Sequence, residues 1–250
     1  MYEDFSNINK LIEAFKSYEI FEECVVSEKV ISIYTSKFIL LVYLPNGVRI
    51  EDSAYENKKV IHLDVDVLNN EFPKVLSRIR GLIGLGKRIY ARQTVVARID
   101  KKVALDFLIE YHLNTAFAGK YRYGLFYKGE LVSVAIFSGG RVMREISDNY
   151  RSFELIRFCH KAEVTVIGGI SKLIKAFIAD FSPHDIMTYA DKDWSQYSSL
   201  QTIGFEEVGK TDCQQYYIYN GIRMSKLESK EDYDYIVTNK GSSKLKLYLS

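Results

Sequence analysis

The stretch from Glu154 to Phe205 constrains this chain more than any other. It opens on a strand-like run, Phe153-Glu154-Leu155-Ile156-Arg157-Phe158-Cys159, and passes through a second short strand to Gly168-Gly169-Ile170-Ser171-Lys172. An amphipathic helical pattern follows, and then Ile186-Met187-Thr188-Tyr189-Ala190-Asp191, a strand that delivers a carboxylate into a loop holding Trp194 and Tyr197. A glycine turn that opens a helix presents backbone N–H groups able to hold an anion. An acid at the C-terminal end of the next strand lies where open sheets place their chemistry. The pattern predicts a phosphate-bearing ligand beside a reactive group.

Composition sets outer limits. At 250 residues the chain is long enough for one large domain or two small ones. Its 47% hydrophobic and 26% charged residues are ordinary for a globular protein. A net charge of +2 excludes a polycationic coat but leaves room for a local basic groove. No apolar run reaches the ~18 residues of a membrane span. The longest, residues 38–44, is closed by Pro45-Asn46-Gly47 and reads as a buried strand. The N-terminus has no signal-peptide pattern, and Cys24, Cys159 and Cys213 suit neither a disulfide framework nor a metal motif. His62, His160 and His184 lack metal-ligand spacing too. A cytoplasmic protein without membrane or metal is expected.

Periodicity organises the rest. Ile8, Leu11, Ile12 and Phe15 predict a helix over 7–18, and β-branched residues predict strands over 25–33, 37–43 and 60–67. Pro73 fits the first turn of a helix carrying Val75, Leu76, Ile79, Leu82 and Ile83 and ending near Gly84 and Gly86. Residues 86–92 read as a linker, so the expected domains are 1–92 and 93–250. The second begins with a strand over 94–99 and a helix over 101–111 that buries Val103, Phe107 and Leu108. A hairpin over 123–127 and 131–137 turns at Lys128-Gly129-Glu130, strand 215–219 follows the opening stretch, and a last hairpin spans 233–237 and 244–249. The fold class is α/β (α+β), and the second domain reads β-α-β-β-β-β-α-β-(α)-β.

Two sets of motifs carry a family resemblance. They are Glu110-Tyr111-His112-Leu113-Asn114 with Tyr123-Gly124-Leu125-Phe126-Tyr127 and its hairpin partner, and Glu154-x-x-Arg157-Phe158-Cys159, Gly168-Gly169-Ile170-Ser171-Lys172, Tyr189-Ala190-Asp191 and Gly204-Phe205. Over residues 94–225 the chain resembles the GNAT-like domain of phage Mom-type DNA-modification proteins and the C-terminal domain of phage Hef-like homing-endonuclease-type proteins. The N-terminal part is similar to their nuclease module, a Vsr-like domain of the PD-(D/E)XK class, through Lys59–Leu63, Ser77–Ile79 and residues 87–92. Ser32 and Tyr43 stand where that module keeps its metal-binding acids, which implies a degenerate unit that does not cut DNA.

The resemblance implies a GNAT-like acyltransferase fold with acetyl-CoA, or another acyl-CoA, as acyl donor. Ile167, Gly168, Gly169, Ser171 and Lys172 would then hold its pyrophosphate. The turn departs from the Q/R-x-x-G-x-G/A pattern of such enzymes: Gly169 and Ser171 fit, but Val166 replaces the basic lead residue. Asp191 would handle the acceptor amine and Tyr197 would protonate the leaving thiolate, with His112 as a further catalytic residue. Each has a plainer reading: a glycine turn made for backbone reasons, an Asp capping the next helical turn, a His at a helix C-terminus.

Glu154 and Arg157 fall on opposite faces of a regular strand, and Arg157 is a candidate ligand or phosphate contact, counted among the nucleic-acid contacts. Six basic residues and no acid lie between Lys74 and Arg92, so Arg78, Lys87, Arg88 and Arg92 are candidate nucleic-acid contacts, against the usual reading of a solvated face. The leading expectation is an N-acyltransferase of phage or mobile-element origin acting on an amine, with a nucleic-acid base as acceptor by analogy to the Mom-type proteins. The alternative is a non-catalytic DNA-binding protein of Hef-like descent.

Overall fold

The computed structural model describes residues 5–55, 58–194, 198–226 and 233–249. Its internal contacts form two compact units. The first is Met1–Val75, Ala190–Tyr197 and Lys210–Ser243; the second is Leu76–Tyr189, Ser198–Gly209 and Lys244–Ser250. The division therefore falls at Val75, not near residue 92, and the chain returns to the first unit twice.

In the first unit α1 (Ser6–Ser17) buries Ile8, Leu11 and Phe15, the stripe its periodicity predicts. Strands β1 (Phe21–Val26), β2 (Val30–Thr35), β3 (Ile39–Tyr43) and β4 (Val60–Asp64) form a sheet in that order, antiparallel except for the parallel β3–β4 pair. The single strand expected over 25–33 is two strands, because Ser27-Glu28-Lys29 turns the chain and the Ser27 hydroxyl donates to the Val30 carbonyl at 2.7 Å. Every residue of β3 and β4 is buried, which is why neither alternates in sequence. The strand expected to reach residue 67 stops at Asp64, and α2 (Val65–Asn70) follows. Helix α3 (Phe72–Leu82) then carries Pro73 in its first turn.

The expected linker is a strand. β5 (Lys87–Tyr90) pairs in parallel with β11 (Val164–Ile167), burying Ile89 against Val166. The other elements of this part of the chain are β6 (Val95–Arg98), α4 (Lys101–Tyr111), β7 (Tyr121–Tyr127), β8 (Glu130–Phe137), β9 (Arg141–Val142), β10 (Arg151–His160), α5 (Gly169–Phe181), β12 (Asp185–Asp191), α6 (Ser198–Thr202) and β13 (Glu206–Lys210). After β14 (Gln215–Tyr219), β15 (Ile222–Met224) and β16 (Tyr235–Thr238), the chain ends on β17 (Ser242–Tyr248). The large sheet runs β13-β17-β12-β10-β8-β7-β6, with β9 on β10.

Its two faces are covered differently. Phe177 of α5 stacks on Phe137 at 4.0 Å and meets Phe153 edge-on at 5.1 Å. On the other face Ala104, Phe107 and Leu108 of α4 pack against Val134 and Ile136. Val103, expected in this core, is 42% exposed because the buried stripe runs through 104, 107 and 108. The expected last hairpin does not form: β16 pairs with β14 in a three-stranded sheet and β17 enters the large one. Gly241 makes the corner between them at φ 71°, where a Cβ would stand 2.5 Å from the Thr211 carbonyl oxygen. Among the described residues no helix is long and apolar enough to cross a membrane.

Candidate functional site

The glycine turn does what its sequence predicts for the backbone. Gly168 is exposed, adopts the left-handed region at φ 74° and precedes α5 without any side-chain cap. A Cβ on Gly169 would stand 3.0 Å from the Val166 Cβ and 3.2 Å from Leu125 Cδ1, so any larger residue would require these side chains to give way. The first-turn N–H groups have no partner within the helix, and with the helix dipole such a terminus attracts negative charge. Val166, at the expected basic position, is 3% exposed and faces the core. Ile167 is exposed and pairs with Tyr90. Lys172 points its ammonium into the chain, donating to the Ala91 carbonyl at 2.8 Å and also to the Thr94 carbonyl. It fastens the segment after β5 to α5, so its ammonium is already engaged by backbone carbonyls.

A gap opens in the sheet before this turn. The parallel strands β10 and β12 pair only over Ser152–Asp185, Phe153–Ile186 and Glu154–Met187. The next contact is made by a side chain, the Thr188 hydroxyl donating to the Leu155 carbonyl at 2.8 Å. On its other edge β10 carries a bulge, since Leu155 faces Phe137 while Arg157 faces Ile136. The extra residue overturns the two-residue period: Glu154 and Arg157, expected on opposite faces, share the α4 face. The Glu154 carboxylate accordingly favours the Arg157 cation, although burial pulls that guanidinium's pKa downward more strongly. Arg157 donates to the Ile156 carbonyl at 2.8 Å and to the Thr115 carbonyl at 3.3 Å.

His112 begins the loop that contains Thr115. Its Nδ1 accepts the Asn114 N–H at 3.0 Å, which makes it a loop-ordering group in this structure. Asp191 orders a turn: its carboxylate accepts the Asp193 N–H at 2.9 Å, and it belongs to the first unit whereas the glycine turn belongs to the second. Tyr197 lies outside the described residues. Of the basic candidates, Lys87, Arg88 and Arg92 are exposed, with Arg92 over the Tyr90 ring at 5.1 Å and Lys87 over Tyr127 at 5.1 Å. Arg78 is half-buried and acts on Cys159, whose thiol burial pushes up to about 12.

Two arrangements had no signature in the sequence. At the end of β10, His160 bonds through Nδ1 to the Ser133 hydroxyl, and burial lowers its pKa to about 4. In the first unit Arg49 grips Asp64 (2.6 and 3.0 Å) and Asp193 (3.0 Å), while Arg223 holds Asp66 at 2.8 Å and Asp64 at 2.7 Å. Beside them His62 Nε2 meets Asp52 at 2.7 Å and Nδ1 meets the Tyr43 hydroxyl at 2.8 Å. With the carboxylate accepting from Nε2, Nδ1 is left to accept the phenol's proton. Buried Tyr43 is pushed up to about 12. Asp193 lies 144 positions from Arg49, a separation at which no spacing rule operates.

No family model matches the chain, and no curated protein does. Among solved structures, a histone acetyltransferase HPA2-related acetyltransferase from Corynebacterium glutamicum aligns over 63% of this chain and 97% of its own, at 14% identity and TM-score 0.41. An IAA acetyltransferase from Bacillus cereus aligns over 62% and 99%, at 14% identity and TM-score 0.38. A GNAT family acetyltransferase from Elizabethkingia anophelis with acetyl-CoA bound aligns over 63% and 99%, at 11% identity and TM-score 0.38. Likeness at this distance assigns no activity.

Proposed function

We propose that this chain is an N-acyltransferase of the GNAT type, taking its acyl group from acyl-CoA. The observation that carries the reading is the uncapped glycine turn of α5, which follows a bulged strand parted from its parallel neighbour. The turn's N–H groups suit a pyrophosphate, and the gap between β10 and β12 suits an extended thioester arm. Glu154, the last paired residue before the gap, is positioned to take the proton from an amine on the α4 face. The amine nitrogen attacks the thioester carbonyl, the C–N bond forms, the C–S bond breaks, and the thiolate leaves to be protonated. Arg157 shares the α4 face with Glu154 and donates to the Ile156 and Thr115 carbonyls. His112 orders the loop that Arg157 reaches.

The resemblance to Mom-type proteins makes a nucleic-acid base amine the acceptor we favour, and a phage or mobile element the source. Lys87, Arg88 and Arg92 on and after β5, with Tyr90 among them, support a polyanionic substrate. The buried Val166 favours a second reading, a DNA-binding protein that has lost its coenzyme.

Thermal denaturation with acetyl-CoA separates the two. The expected result is a rise in Tm for the wild type and none for Ser171→Asp. That substitution sets a carboxylate against the pyrophosphate while favouring the helix dipole. No shift at millimolar acetyl-CoA, together with salt-dependent DNA binding, would replace the enzyme with the second reading.

A further inference from the structure

The first unit contains an open cleft of about 450 Å³ lined by residues 46–49, 51, 192, 213, 236 and 238–240. A volume of roughly 300–1,000 Å³ is typical of small-molecule sites. Its polar lining consists mainly of donors. The Asn239 side-chain oxygen accepts the N–H groups of Gln214 at 2.7 Å and Gly241 at 2.9 Å. The Asn46 oxygen accepts the Ile236 N–H at 3.3 Å. Backbone donors thus fix the orientation of both amides and leave their NH₂ groups to be satisfied elsewhere. Among the described residues neither NH₂ group has a protein partner, nor has the Thr238 hydroxyl or the Lys192 ammonium.

Arg49 and Lys240 also border the cleft, already matched to Asp64, Asp193 and Asp52. Glu51 is the single acid in the lining, its side chain 82% exposed and 4.0 Å from Lys240. Val48, 80% exposed, and Ile236 supply an apolar wall.

We infer that this cleft binds the phosphate group of a small phosphomonoester. A lysine ammonium, two amide NH₂ groups and a hydroxyl are separate point donors. They suit a tetrahedral oxyanion that accepts from several directions, and lysine binds phosphate as a point charge where no guanidinium fork is free. The fork available here, Arg49, is occupied by Asp64 and Asp193. The apolar wall and the volume leave room for the ester's organic part.

The test is calorimetric titration of the full chain with inorganic phosphate and with adenosine 5′-monophosphate. Both are expected to bind, the nucleotide more tightly. Asn239→Asp keeps the oxygen that caps Gln214 and Gly241 but replaces the NH₂ donor with a charged oxygen. It is expected to weaken binding about tenfold or more with the Tm unchanged. Lys192→Met gives the same loss and carries the test should Asn239→Asp fail to fold. Ser171→Asp, in the other unit, leaves this binding intact. Absence of binding at millimolar ligand, binding unchanged in Asn239→Asp and Lys192→Met, or binding abolished by Ser171→Asp would each overturn the inference.

Discussion

His160 illustrates what burial does to a single group. The unfolded chain titrates this residue near its ordinary pKa of ~6.5, while the folded chain holds it at about 4. The unfolded state therefore takes up the proton first. The stability contributed is complete above the unfolded value and is lost as pH falls toward the folded one, at most about 3 kcal/mol. His62, also lowered mainly by burial, acts in the same direction in the other unit. Urea midpoints at pH 7.5 and 5 are expected to drop for the wild type and to drop less for His160→Gln; equal losses would refute the assignment. Neither histidine was legible as special, because a lone His in an apolar run has no local mark. The solvent exclusion that lowers their pKa arises only when sheets and helices close over them.

At the scale of elements, the α5 turn was readable and the bulge beside it was not. Two adjacent glycines before an amphipathic run signal a turn and a helix start, and Gly168 and Gly169 both have steric reasons to be glycine. Gly169→Ala places a methyl group 3.0 Å from the Val166 Cβ. Val166 is fixed in β11 and cannot yield without moving the strand, so overpacking costs about 1–3 kcal/mol. That exceeds the gain in helix propensity of at most about 1 kcal/mol. A lowered Tm is expected in a thermal melt, and an unchanged or raised one would show that β11 gives way. The bulge in β10 has no such signal. Glu-Leu-Ile-Arg looks like any regular strand, and only the pairing of Leu155 and Arg157 with successive residues of β8 brings Glu154 and Arg157 to one face.

At the scale of the whole molecule, the two units are not two consecutive stretches of chain. A cut at the linker expected from sequence, giving residues 93–250, would keep Asp193 and Arg223 but remove Arg49, Asp64 and Asp66. Breaking such buried pairs costs about 3–5 kcal/mol each. The fragment is expected to lose the cooperative melt of the full chain by circular dichroism; a fragment melting cooperatively at the full-length temperature would contradict this. The sequence by itself determined the helices over Ser6–Ser17 and Lys101–Tyr111, the β7–β8 hairpin and the glycine turn, because periodicity and turn residues act within a few positions. The tertiary structure alone decided which segments share a unit, which face Arg157 takes, and which acids Arg49 and Arg223 hold. Those outcomes depend on contacts between residues distant in sequence, which local patterns do not encode.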